Sequence, residues 1–158
     1  MTSAVEPPKG PAESLRKLPL AASIVALVGL ADSVYLTVHH YRKEPVPCGG
    51  QFDCGTVLNS IYSEIGGIPL AAYGAVAYFV AFSLALLTAF GRDRLWPFFG
   101  LQAILMSTVS AYLIYVQYAF INAWCQFCLL SAATSFTLYL LYLGSRFAGG
   151  QGRVNPIA

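Results

Sequence analysis

The chain's four cysteines fall into two spaced pairs, Cys48-Gly-Gly-Gln-Phe-Asp-Cys54 and Cys125-Gln-Phe-Cys128. An apolar run over 124–145 begins at once around the second pair. If that run is helical, Cys125 and Cys128 sit on its first turn, on one face. Unpaired N–H groups and the positive end of the helix dipole favour thiolate over thiol there. A C-x-x-C pair so placed has at least one sulfur of low pKa, the requirement for thiol–disulfide exchange. In the first pair, Gly49 and Gly50 let the backbone turn tightly enough to bring the Cys48 and Cys54 sulfurs within bonding reach.

The elements that must hold these pairs are membrane helices. The 158 residues are 57% hydrophobic and 10% charged, with mean hydropathy +0.63, whereas a soluble domain is about 25% charged. Four apolar segments, 18–39, 68–90, 95–120 and 124–145, are each long enough to cross about 30 Å of hydrocarbon. The first is longer than a signal-peptide h-region and reads as a retained helix. The expected architecture is an all-α bundle of four transmembrane helices, with residues 1–17 and 146–158 as tails. A net charge of +2 gives no basis for a nucleic-acid partner.

Charge sets the expected orientation. With the N-terminus cytoplasmic, Lys9, Arg16, Lys17, Arg92, Arg94, Arg146 and Arg153 lie inside, and only Arg42 and Lys43 outside. This positive-inside bias places the 42–67 loop and the turn near Asn122 on the outer side of a cell inner or plasma membrane. Both cysteine pairs then face an oxidising compartment.

Within the outer loop, Val57, Leu58, Ile61 and Ile65 share one helical face, so a short amphipathic helix is expected from Cys54 to Ile65. Gly66 and Gly67 end it, and it lies over the bundle mouth as a cap. Ser60 rides on this helix. Asp32, an acid inside the first span, is a functional candidate by its position. At 1.5 Å per residue it stands roughly 21 Å up the helix, in the outer half. The plainer account is a carboxyl facing the bundle, hydrogen-bonded to a hydroxyl or kept neutral. His39 and His40 read as solvated interface residues, and Tyr73, Tyr78, Trp96, Tyr112, Tyr115 and Tyr118 mostly as an interfacial aromatic belt.

Three uses of the cysteines compete. A zinc ribbon needs two C-x-x-C knuckles, which this chain lacks. Inert disulfides could staple outer loops, but a C-x-x-C at a helix start makes a poor staple and a good redox centre. A relay of two thiol pairs accounts for both spacings, because a dithiol yields the two electrons and two protons that a lipid quinone accepts. Such a quinone would dock in the apolar bundle beside Cys125 and Cys128. The opposite direction, a membrane reductase acting on outer disulfides, is the runner-up.

The motif order carries a family resemblance. A loop cysteine pair follows the first span, then Cys-Gly-Thr-Val-Leu-Asn-Ser60, Gly-Ile-Pro-Leu, and Trp-Cys-Gln-Phe-Cys opening the fourth span. Over 18–145 this resembles the vitamin K epoxide reductase family. DsbB-type oxidases share the chemistry but place C-x-x-C in the first outer loop. The resemblance implies a four-helix bundle around a membrane quinone of the ubiquinone or menaquinone type, capped by the loop helix. It implies that Cys48 exchanges with a periplasmic thioredoxin-like protein and pairs with Cys54. Cys54 then passes electrons to Cys125, and Cys128 lies against the quinone. Ser60 matches a hydroxyl position near the loop cysteines.

Two departures from the family follow. Many bacterial members carry a fused thioredoxin-like domain, whereas this sequence runs to Ala158, so a separate partner is expected. The Asn and Tyr that bind quinone oxygens in vertebrate members fall at Leu70 and Ala132. Quinone contacts at Leu70, Tyr73, Ala132 and Cys128 are therefore expected to be mainly apolar.

Overall fold

The computed structural model describes the backbone of residues 11–150 and the side chains of 17–147. Lys9, Arg153 and the outer parts of both expected tails lie outside these residues. Helix α1 runs Pro11–Arg42, α3 Leu70–Ala89, α4 Trp96–Val116 and α5 Gln126–Gly150, with the short α2, Cys54–Leu58, in the first connection. Four of these are long and apolar enough to span a membrane. They form a ring in which α1 packs on α3 and α5, and α4 on α3 and α5. Helix α1 begins at Pro11 and α5 continues to Gly150, so both run past the expected spans at their terminal ends.

Apolar side chains cover every face of these helices. Val28, Val76, Leu101 and Leu140 stand exposed, as helix surfaces do where lipid, not water, is the neighbour. The core is built of small residues: Ala22, Ala26, Ala81, Ala85 and Ala103 are buried around Tyr78, Phe99 and Leu138. Without a hydrophobic force between helices in lipid, close backbone approach and interhelical hydrogen bonds hold the bundle. Tyr78 provides both. Its hydroxyl donates to the Ser131 carbonyl and lies 2.7 Å from Thr134 Oγ1 and 2.8 Å from Ser135 Oγ, tying α3 to α5. Its ring fills the space beside Gly29 on α1, where a Cβ would collide with it. Gly100 leaves similar room for the Tyr142 ring.

The loop between α1 and α3 departs from the expected cap. Helix α2 stops at Leu58 instead of reaching Ile65, because Asn59 takes a non-helical backbone and turns its side-chain amide back onto the Gly55 carbonyl. Strands β1, Glu64–Ile65, and β2, Ile68–Pro69, follow as a small antiparallel hairpin. Gly66 and Gly67 form its two-residue turn with φ of 63° and 79°, the left-handed pair that such a hairpin requires. Of the four residues expected on one apolar face, Val57 is buried but Ile61 is 85% exposed and Ile65 56%. The helical period of 3.6 gives way here to the strand period of 2.

The packing of Tyr78 predicts a contrast between two glycines. Gly29→Ala should destabilise the bundle by about 1–3 kcal/mol, the usual cost of overpacking. Gly144→Ala, where a new Cβ meets nothing within 4 Å, should be neutral or slightly stabilising. Thermal unfolding in detergent micelles reads both. Equal effects would show that the Tyr78 ring is not confined.

Candidate functional site

Both cysteine pairs lie at the same end of the bundle. The Asp53 N–H donates to the Trp124 carbonyl at 3.0 Å, and the Gly49 N–H to Gln126 Oε1 at 3.4 Å, so the loop is pinned to the start of α5. Asp53 also caps α2: its carboxylate accepts from the Thr56 N–H at 3.0 Å and the Thr56 hydroxyl at 2.6 Å. These two bonds, the hydroxyl's first, hold the Asp53 carboxyl below the usual range. The cap places Cys54 at the first position of α2, pointing into the bundle end.

Cys48 and Cys54 form a disulfide with Cα atoms 6.1 Å apart. Cys48 is half-buried and Cys54 sealed. Cys54, Val57 and Cys125 make one buried cluster, flanked by Cys48, Ile121, Phe127 and Cys128. Cys125 and Cys128 are free thiols. Cys125 stands just before α5, not within its first turn, and its sulfur caps the helix by accepting the Cys128 N–H at 3.4 Å. A hydrogen bond from the Cys128 side chain, opposed by burial and helped by the backbone N–H groups of Cys128 and Phe127, pulls the Cys125 thiol down to about 7.

Gln117 completes the support and escaped the sequence reading. It is buried in a π-helical turn, Gln117–Ile121, at the end of α4, and its side-chain oxygen accepts the Cys125 N–H at 3.1 Å. Asn122 follows at φ 53°, turning the chain into the C-x-x-C segment. One of two glutamines, with Gln102, in an apolar span was the available signal, since such a group must find a partner inside the protein.

A cavity of about 760 Å³ lies between the helices below the loop, within the size range of small-molecule pockets. Cys128 lines it, with Ser131 and Ser135 on the same face of α5. Among the expected contacts Leu70, Tyr73 and Ser60 also line it. Ala132 does not: it is buried in helix packing, rotated about 100° from the face Ser131 presents. Ser60's hydroxyl donates to the Val57 carbonyl at 2.7 Å rather than to a sulfur. Tyr73 is 45% exposed, with its hydroxyl 3.4 Å from the Ile65 carbonyl.

Asp32 faces the bundle interior as its plainer reading expects, while the histidines depart from theirs. Asp32 is 7% exposed and lines the cavity, and its Oδ2 has no hydrogen-bond partner. His39 packs on the Tyr35 ring with its Nδ1 buried, and His40 Nε2 lies 3.0 Å from Glu64 Oε1. Both line the cavity instead of being merely solvated. Of the aromatics, Tyr73 and Tyr78 line the cavity, while Tyr112, Tyr115 and Tyr118 are exposed as a belt requires.

The geometry at Cys125 predicts a measurable titration. In the reduced protein its alkylation should rise through a midpoint near 7, since thiolate is present above that pH and lost below it. Cys128→Ala removes the largest cause and should move the midpoint upward, read by mass spectrometry after timed iodoacetamide pulses; an unmoved midpoint would remove Cys128 as that cause.

Two comparisons bear on the chain as a whole. The Vitamin K epoxide reductase family matches it over residues 20–143. It is also similar to thiol-disulfide oxidoreductase LTO1 of Arabidopsis thaliana, 34% identical over 125 residues. That alignment takes in 71% of this chain and 32% of the plant protein, so the chain spans about a third of that relative's length. The matched span contains both cysteine pairs, the capping loop and nearly all of the four spanning helices. With its loop cysteines packed on a C-x-x-C at the mouth of the fourth helix and this match over most of its length, the chain belongs to the vitamin K epoxide reductase family.

Proposed function

We propose that this chain is a membrane thiol–disulfide oxidoreductase that takes electrons from a thioredoxin-like partner on the outer side and delivers them to a membrane quinone. The observation that carries this reading is the division of the two pairs between two environments. Cys54 and Cys125 share a sealed cluster, whereas Cys128, one helical turn further on, opens onto the cavity. Cys48 is the more exposed sulfur of its pair, where an incoming thiolate can reach it.

The exchange steps follow from that placement. A partner thiolate attacks Cys48, breaking the Cys48–Cys54 bond and forming a mixed disulfide; the partner's other thiol then closes its own disulfide and releases Cys48. The loop pair is now a dithiol. Cys54 is packed to pass on the two electrons by exchange with the Cys125–Cys128 pair when that pair is oxidised. The low thiol pKa of Cys125 suits it to exchange near neutral pH. Gln117 and the helix start fix its position.

The cavity's residues fit a quinone. Leu70, Leu105 and Met106 supply apolar contact, and Tyr73 an aromatic face. Gln102, Ser131 and Ser135 supply polar groups for ring oxygens. When bound, the quinone accepts two electrons and two protons from a dithiol. The positive-inside asymmetry supports an outer position for the cysteine end and cytoplasmic termini.

Purified protein supplied with a reduced thioredoxin-like donor and a short-chain quinone should reduce the quinone, followed optically. Cys125→Ala and Cys128→Ala should each abolish turnover, while Cys128→Ala leaves the Cys48–Cys54 disulfide reducible by the donor. Full activity without Cys128 would refute the relay, and quinol-driven reduction of the partner without the forward reaction would reverse its direction.

A further inference from the structure

The face of α1 turned toward the cavity carries ionisable groups that the thiol chemistry leaves unused. Asp32, Leu36 and His39 stand at i, i+4 and i+7, and all three line the cavity, with His40 and Lys43 following toward its mouth. Cys128 lines the same space from α5. An acid within a membrane span carries a large desolvation cost unless it is paired or shifts between charged and neutral forms. Asp32 Oδ2 has no such pairing, although Ser33 is adjacent in sequence. At the mouth, His39 Nδ1 is buried 3.8 Å from Glu44, and His40 meets Glu64 at 3.0 Å. Two buried polar atoms on one helix, both without hydrogen bonds, thus mark the inner and outer parts of one polar track.

We propose that Asp32 carries protons between the reacting face of the cavity and the His39–His40 mouth. The inference rests on the quinone reading above. Oxidation of a Cys125 thiolate and Cys128 thiol breaks one S–H bond and forms one S–S bond, and the quinone gains two electrons and two protons. The Cys128 proton passes to the Asp32 carboxylate and from it to a ring oxygen. Cys125 is partly thiolate near neutral pH, so the other proton is supplied from water through His39 or His40 and again through Asp32. The carboxylate ends each cycle as it began.

The test uses the full chain in nanodiscs with dithiothreitol as donor and a short-chain benzoquinone as acceptor. Asp32→Asn, which removes no hydrogen bond from Oδ2, should slow quinone reduction about a hundredfold, the ordinary scale of a lost proton-transfer group. It should leave dithiothreitol reduction of Cys48–Cys54 unchanged, and Asp32→Glu should restore much of the rate. A further readout needs no turnover. In Cys128→Ala protein, adding the quinone should shift a carboxyl band in the infrared difference spectrum, and that shift should vanish in Cys128→Ala/Asp32→Asn. Asp32→Asn within about twofold of an active wild type, or no carboxyl response, would overturn the inference alone. A wild type that reduces no quinone would overturn the quinone reading and this inference with it.

Discussion

Cys54 and Cys125 come from distant parts of the chain and are sealed together where the loop between α1 and α3 meets the start of α5. The contact is held by the Asp53 N–H bond to the Trp124 carbonyl, the Gly49 N–H bond to Gln126 Oε1 and the cap that Asp53 places on α2. Irregular backbone is costly within hydrocarbon, so the loop can meet the helices only at their ends. That restriction places the two cysteine pairs side by side. It also forces the C-x-x-C to serve two surroundings: the Cys125 sulfur closes the helix end, and the Cys128 sulfur faces the cavity.

The bundle supplies rigidity where the proposed chemistry needs it. Tyr78 crosses from α3 to α5 and bonds to Ser131, Thr134 and Ser135, one and two turns below Cys128. Gly29 and Gly74 let α1 and α3 lie close, with Ser33 Oγ only 3.1 Å from where a Cβ at Gly74 would sit. These contacts hold open the cavity wall that Cys128, Ser131 and Ser135 share. By contrast, Ile61 before the hairpin and Ile65 within it are exposed, which is consistent with the proposed approach of a partner at Cys48.

In the proposed relay, electrons and protons travel by different routes. Electrons move through sulfur–sulfur exchange along the loop-to-α5 contact. Protons follow the α1 face, where Asp32 Oδ2 and His39 Nδ1 are buried without hydrogen bonds. Separating the two lets the sulfur cluster stay dry, which keeps the thiols from side reactions, while the track on α1 remains open to water at its mouth.

By itself, the sequence determined the spans, because about twenty apolar residues can cross a bilayer only as helix. It determined the sulfur chemistry as well, because C-x-x-C at a helix start lowers a thiol pKa through groups that lie within a few residues. The resemblance in motif order extended this to the family. Only tertiary structure decided which residues share the cavity. One step along α5 separates Ser131, which lines it, from buried Ala132, which does not. Gln117's bond to Cys125, the missing partner of Asp32 Oδ2 and the early end of α2 likewise depend on how the four helices and the loop pack together. The reason is one of range: hydrophobic length and turn chemistry act over neighbouring residues, whereas a cavity is a property of several helices at once.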